Sequence, residues 1–207
     1  MSFVIIVDSA SNFNLELSKK YNIEIISFHY SIDGEEFLCY SDDFCFEEEA
    51  KKYYASLREG KVVKTSLVSI QSYCDCFEKH LKNNEDILSI SISSNLSGTY
   101  NSSRNARDIL KEKYPDRKIE CLDSWNASFG EAIIAIMASQ AREKGMTLEQ
   151  TVNLVSQLRL NIRSEFVVDK LTYLARSGRI SPIIASIGNL LDIKPLLRAS
   201  KDAKIET

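Results

Sequence analysis

Apolar, β-branched runs alternate along this chain with stretches of helical periodicity, and this alternation limits the folds open to it. The run FVIIV at residues 3–7 is continuous and stops at Asp8, as is typical of a strand buried on both faces of a parallel sheet. Similar runs occupy residues 86–92 and 118–122, and a strongly apolar helical segment covers residues 127–144. The order of elements predicts an α/β fold with a mostly parallel sheet flanked by helices.

Local turn and cap signals refine this outline. The Asp33-Gly34 step predicts a hairpin. Asn12 or Asn14 is a candidate N-cap for a short helix that ends near residue 21. Thr147 followed three residues later by Gln150 predicts a capping box.

Composition excludes several classes of function. The 207 residues are enough for one domain or two small ones, and the net charge of -3 is spread over scattered acids and bases, so nothing indicates a nucleic-acid-binding face. No apolar run approaches the ~20 residues of a membrane-spanning helix, and the N-terminus lacks the features of a signal peptide. We therefore expect a cytoplasmic protein.

The cysteines and histidines do not suggest a metal site or a disulfide scaffold. The chain has five cysteines, an odd number for a disulfide framework. Cys74 and Cys76 form a C-x-C pair, but the sequence offers no second pair and no nearby histidine to complete a zinc site. We expect free thiols, with no metal and no other cofactor.

Three of the predicted strands end in carboxyl and hydroxyl side chains. The segments concerned are Asp8-Ser9, Ser93-Ser94 and Asp123-Ser124. In an open α/β sheet the carboxyl ends of the strands gather at one edge, where ligands bind. The sequence therefore predicts that these side chains lie close together.

The segment SSNLSGT at residues 93–99 is the richest of these in polar groups. It holds five hydroxyl or amide side chains and Gly98 immediately before a predicted helix. N-capping alone would need one such residue. Hydroxyls and free backbone N–H groups at a helix N-terminus attract anions, so we predict an anion-binding loop that includes Ser93, Ser94, Gly98 and Thr99. Thr65-Ser66 is a second hydroxyl pair before a helix.

The common catalytic signatures are absent, including nucleotide-binding glycine loops and the G-x-S-x-G elbow. Asp8 follows the first strand, as a nucleophilic aspartate can, but Ala10 stands where a second carboxylate would serve as general acid. Binding therefore fits better than catalysis. The alternative is an enzyme that acts on a small phosphorylated or carboxylated metabolite through Asp8 and the serine loops.

Ordered motifs along nearly the whole chain resemble those of the DegV family. They are VDSA at residues 7–10, KTSLVS at 64–69, SSNLSGTYNS at 93–102, DS at 123–124, SGRI at 177–180 and DIKP at 192–195. The motifs most specific to the family are the S-S-x-L-S-G-T-Y run and the pair of S-G-R-I and I-K-P. The D-S motif alone is weak evidence for it.

The resemblance implies a long-chain fatty acid held between two α/β domains. Its carboxylate would be bound by the hydroxyls of Thr65, Ser66, Ser93 and Ser94, with Asp8, Ser9, Gly98 and Thr99 as secondary candidates. In such proteins the acid is presented to a separate kinase subunit that makes an acyl phosphate. Arg179, from the S-G-R-I motif, would be a partner contact.

Two departures from the family pattern stand out. Thr65-Ser66-Leu67-Val68-Ser69 replaces the usual T-S-Q-P-S, which exchanges a proline for apolar residues. Family members also continue past residue 207, with a histidine near the carboxylate. We therefore expect an N-terminal α/β domain at residues 1–160, an incomplete second α/β domain at residues 161–207, and truncation at the C-terminus.

Overall fold

A computed structural model of the protein describes residues 3–41, 46–181, 194–199 and 205–206. Its main sheet has four parallel strands in the order β2-β1-β6-β7. These are β1 (Phe3–Asp8), β2 (Ile23–Ile26), β6 (Asp86–Ser91) and β7 (Ile119–Asp123). The predicted α/β fold with a parallel sheet flanked by helices is confirmed.

Seven helices are described. They are α1 (Leu15–Tyr21), α2 (Phe46–Arg58), α3 (Ile70–Leu81), α4 (Thr99–Lys113), α5 (Phe129–Glu143), α6 (Leu148–Leu158) and α7 (Leu171–Arg176). Of the two candidate caps for α1, Asn14 accepts a hydrogen bond from Leu17 N at 2.8 Å, whereas Asn12 ends a short 3₁₀ turn. The capping box of Thr147 and Gln150 at the start of α6 is present as predicted.

Two antiparallel sheets complement the parallel one. The predicted hairpin at Asp33-Gly34 joins β3 (His29–Ile32) to β4 (Glu35–Leu38), and β5 (Val63–Ser66) pairs with the other edge of β3. A second antiparallel sheet contains β8 (Glu165–Phe166), β9 (Leu197–Ala199) and β10 (Ile205–Glu206). The Asp192-Ile193 part of the DIKP motif lies outside the described residues.

The parallel sheet is buried on both faces because successive residues of β1 point to opposite sides. Ile5 and Val7 pack in one cluster with α5 and α6, whereas Ile6 packs in the other with Tyr73 and Phe77 of α3. All five side chains are at most 1% exposed. Each apolar side chain buried in this way stabilises the fold by about 1.5–3 kcal/mol, so two helical layers fix the sheet that carries the strand-end loops.

Candidate functional site: hydroxyl loops at the carboxyl edge of the sheet

The loop after β6 folds around Ser93, which is fully buried. The carbonyl oxygen of Ser93 accepts hydrogen bonds from the N–H groups of Leu96 at 2.9 Å and Ser97 at 3.1 Å. Its hydroxyl accepts from Asn95 N at 3.3 Å, and Ser93 N donates to Asn126 O at 2.8 Å. The structure therefore places Ser93 inside the loop, where its hydrogen bonds hold the loop together.

Ser94 is half-buried and is held from the neighbouring strand end. Its backbone N–H donates to Asp123 Oδ1 at 3.2 Å, and the same oxygen accepts from Trp125 N at 3.1 Å. Asp123 thus joins the loop after β6 to the loop after β7. The predicted convergence of Ser93-Ser94 with Asp123-Ser124 is present in the structure.

Asp8 links the loop after β1 to the same region. The residue is fully buried, with Oδ1 accepting from Ala10 N at 3.0 Å and Oδ2 from Ile92 N at 2.8 Å. Burial raises the pKa of Asp8 to about 7, although the two N–H donors act to lower it. Because both oxygens bind backbone amides, this geometry makes Asp8 a brace between loops and disfavours its use as a nucleophile.

Ser9 has a local partner as well. Its hydroxyl accepts from Phe28 N at 3.0 Å, so this side chain fixes the segment between β2 and β3.

Thr65 and Ser66 lie at the end of β5 and are exposed. Ser66 Oγ lies 3.4 Å from His29 O, a long hydrogen bond. The next residue, Leu67, reaches the serine loop, because a Cβ atom built on Gly98 would lie 3.1 Å from Leu67 Cδ2. The end of β5 is therefore a neighbour of the loop that precedes α4.

Gly98 and Thr99 form the start of α4. Gly98 is the N-cap residue and has no side chain to cap the helix. Thr99 is fully buried, and its hydroxyl lies 2.8 Å from Ser97 Oγ. The N-terminus of a 15-residue helix is thus directed at the hydroxyl loop, and such a terminus carries partial positive charge.

Arg179 contacts this loop from a distant part of the sequence. Its Nε and Nη2 donate to Leu96 O at 3.1 and 2.8 Å. The S-G-R-I motif therefore meets the serine loop within one chain, and the exposed guanidinium remains at the surface of the site.

Glu131 is a buried acid that the sequence analysis did not single out. It lies in the first turn of α5 and is fully buried. A single acidic residue close to the start of a strongly apolar segment was the available signal. Burial raises the pKa of Glu131 well above its usual range, and the charges of Asp8 and Asp123 add to this effect.

Two features are absent from the described residues, a metal-binding cluster and a membrane-spanning helix. None of their groups of histidine, cysteine and acidic side chains has the arrangement needed to hold a metal ion. Among the helices of that part of the chain, none is long and apolar enough to cross a membrane.

The chain resembles proteins of known family. A family model described as an uncharacterised protein of the DegV family matches residues 2–207. A DegV domain-containing protein of Clostridium perfringens is 37% identical over 195 residues, which are 94% of this chain and 66% of that protein. The chain thus spans about two thirds of the length of this relative. The family match reaches residue 207 and does not support the expected truncation.

Solved structures give the same result. A DegV family protein from Thermus thermophilus, described with fatty acid binding, has a TM-score of 0.82 and 26% identity, covering 100% of this chain and 70% of that one. A stearic acid-binding protein from Eubacterium ventriosum has a TM-score of 0.83 and 28% identity, covering 98% and 68%. On the match to the family model and the identity to its curated relatives, this chain belongs to the DegV family.

Proposed function

We propose that this chain binds a long-chain fatty acid and presents it to a partner kinase for acyl-phosphate formation. The hydroxyls of Thr65, Ser66, Ser93 and Ser94 hold the carboxylate. The acyl chain lies between an α/β domain at residues 1–160 and a second domain that starts at residue 161.

One observation carries this proposal: the hydroxyl loops share a single edge of the parallel sheet. Asp8 binds the amide of Ile92, Asp123 binds the amide of Ser94, and Leu67 lies against Gly98. Solved relatives from Thermus thermophilus and Eubacterium ventriosum are described as binding fatty acid. The same edge is where ligands bind in open α/β sheets.

The chemistry of the loops suits a carboxylate attached to an apolar tail. A desolvated carboxylate must receive hydrogen bonds, and serine and threonine hydroxyls together with the N-terminus of α4 offer them. The tail gains about 0.8 kcal/mol for each buried CH₂ group. Apolar burial therefore supplies affinity, and the hydroxyls orient the head group.

The kinase partner is proposed on the family resemblance and on the position of Arg179. This guanidinium is exposed and borders the serine loop through Leu96, where a partner could sense an occupied head-group site. The proposed location is the cytoplasm, in keeping with the free thiols of Cys39, Cys74, Cys76 and Cys121.

The test compares radiolabelled palmitate with palmitate methyl ester in equilibrium binding. We expect palmitate to bind and the ester, which lacks the charge, to bind at least about tenfold more weakly, as the loss of one charged hydrogen-bond set implies. Ser94→Ala and Thr65→Val should weaken palmitate binding. Ser156→Ala, on α6, is the matched control and should not.

Equal affinity for acid and ester would contradict the head-group assignment, and no binding of either would contradict the function. The kinase step has a separate readout. Acyl phosphate, trapped with hydroxylamine, should form from ATP and the loaded protein only when a fatty-acid kinase subunit is added.

A further inference from the structure

Glu131 is an acid with no hydrogen-bond partner for either carboxyl oxygen among the described residues. The side chain is fully buried in the first turn of α5, where the charges of Asp8 and Asp123 act on it. An isolated ionised carboxylate in such a place is very costly. This position is therefore stable only when the carboxyl group carries a proton.

The titratable groups that act on Glu131 are all acidic. Asp8 at the end of β1 and Asp123 at the end of β7 are its charged neighbours, and Tyr73 of α3 also interacts with it. Tyr73 is itself fully buried, and its hydroxyl lies 3.2 Å from Ser91 Oγ. The cation Arg159 also lies in this region, where its Nη1 donates to Asp123 O and its charge interacts with that of Asp123. Glu131 has no hydrogen-bonding partner among the described residues, so a charge on Glu131 is repelled by the charges of Asp8 and Asp123.

Asp8 and Glu131 differ in the hydrogen bonds that their carboxyl groups accept. Both oxygens of Asp8 accept backbone N–H groups, from Ala10 and Ile92. Donors of this kind favour the ionised form. Glu131 receives none from the described residues, so the proton resides on Glu131.

We propose that Glu131 is a proton-bearing positioning residue that lets the hydroxyl loops accept an anion. The ligand carboxylate binds while Glu131 is neutral and is released when rising pH ionises Glu131. This inference rests on the proposed function, because the anion is the carboxylate assigned to Ser93 and Ser94.

Ionisation of Glu131 should weaken anion binding because Asp8 and Asp123, its charged neighbours, hold the residues on either side of Ser93. Ile92 and Ser94, whose amides Asp8 and Asp123 hold, flank Ser93 directly. A new charge on Glu131 would repel the bound carboxylate and, at an effective dielectric constant of about 20, weaken anion binding roughly tenfold or more. Burial raises the pKa of Glu131 well above its usual range, so the affinity is followed into alkaline pH.

The test is the affinity for radiolabelled palmitate, kept below its aggregation concentration, from about pH 6.5 to about pH 9.5. The wild-type protein should lose roughly tenfold more affinity across this range than Glu131→Gln, which cannot ionise. Asp8 titrates in both proteins, so only the difference between the two pH profiles, which includes the repulsion between Glu131 and Asp8, is assigned to Glu131. Glu143→Gln, at the exposed end of the same helix, is the matched control and should follow the wild type.

Identical pH profiles for wild type and Glu131→Gln overturn the inference and leave the proposed function intact. No binding by any protein at any pH overturns the proposed function, and the inference with it. If Glu131→Gln does not fold, Glu131→Leu gives the same comparison. An infrared difference spectrum of wild type minus variant at neutral pH should contain the carbonyl band of a protonated carboxyl group, and its absence overturns the inference.

Discussion

Arg179 donates two hydrogen bonds to one acceptor, the carbonyl oxygen of Leu96, from Nε at 3.1 Å and from Nη2 at 2.8 Å. The two residues are 83 positions apart in the chain. The segment that follows α7 is thereby tied to the loop that precedes α4. This contact places the exposed Arg179 at the surface of the candidate site, on the side that the proposed partner would approach.

Arg179→Ala should loosen the serine loop and leave the fold largely unchanged. Because Arg179 is exposed, we expect a loss of about 1 kcal/mol or less in the free energy of unfolding, with faster amide exchange at residues 94–97. Hydrogen–deuterium exchange with mass spectrometry measures this. Arg176→Ala, at the end of α7, is the control, and equal exchange in both variants would contradict the contact's role.

Asp123→Ala should destabilise the protein more than Asp123→Asn. The carboxylate oxygen Oδ1 accepts hydrogen bonds from Ser94 N and Trp125 N. The side chain of Asn retains one oxygen that can accept both hydrogen bonds. Loss of both bonds leaves two amides without an acceptor, at about 2–3 kcal/mol in the free energy of unfolding. Urea denaturation gives the values, and equal losses in both variants would argue against the bridge between the two loops.

Gly98→Ala should couple to Leu67→Ala. Gly98 has an ordinary helical φ of -72°, so the added methyl group meets no backbone strain and only the contact with Leu67 Cδ2 at 3.1 Å. We expect a cost of about 0.5–1 kcal/mol for Gly98→Ala that falls when Leu67 is shortened. A double-mutant cycle in urea measures the coupling, and strictly additive effects would show that the two loops do not touch.

His80 lies between two carboxylates at the opposite end of the sheet from the candidate site. Its Nε2 lies 2.7 Å from Glu24 Oε2 and its Nδ1 2.9 Å from Glu85 Oε2. The hydrogen bond to Glu24 raises the pKa of His80 above 6.5, and the same bond lowers the pKa of Glu24 below 4.5. Lys79 and Cys76 also contact Glu24.

The free energy of unfolding should therefore fall when the pH drops through the pKa of Glu24 and again when it rises through the pKa of His80. A raised histidine pKa stabilises the fold below about 6.5, and this contribution is lost as pH rises through the folded-state pKa. A lowered glutamate pKa stabilises it above about 4.5 and is lost as pH falls. The free energy of unfolding of the wild type, measured by urea denaturation, should decline as the pH rises above this window, whereas His80→Gln should give a flatter curve. Parallel stability curves for the wild type and His80→Gln would show that the pair of His80 with Glu24 does not cause the pH dependence.

The sequence predicted the main elements because their periodicities are strong. The FVIIV run, the turn at Asp33-Gly34 and the box of Thr147 and Gln150 each depend on local chemistry. The start of α5 was predicted two residues too early. Ser128 has a φ of 54° and is held by two tertiary contacts, from its amide to Ala10 O and from Asn12 Nδ2 to its hydroxyl.

The sequence predicted which loops form the candidate site but not the hydrogen bonds that join these loops. Strand-end hydroxyls such as Ser93 follow from the α/β pattern. The bridges of Asp8 to Ile92 and of Arg179 to Leu96 join residues 84 and 83 positions apart, and no local signal specifies such pairs. Glu131 was missed because helical periodicity does not reveal which single polar residue faces the interior.

Mass spectrometry of organic extracts from the purified protein, from Ser94→Ala and from the control Ser156→Ala tests whether the chain carries a fatty acid held at the serine loop. We expect fatty acid at a near-equal molar ratio in the wild type and in the control, and a clear reduction in Ser94→Ala. Extracts without fatty acid, from protein that also fails to bind added palmitate, would contradict it.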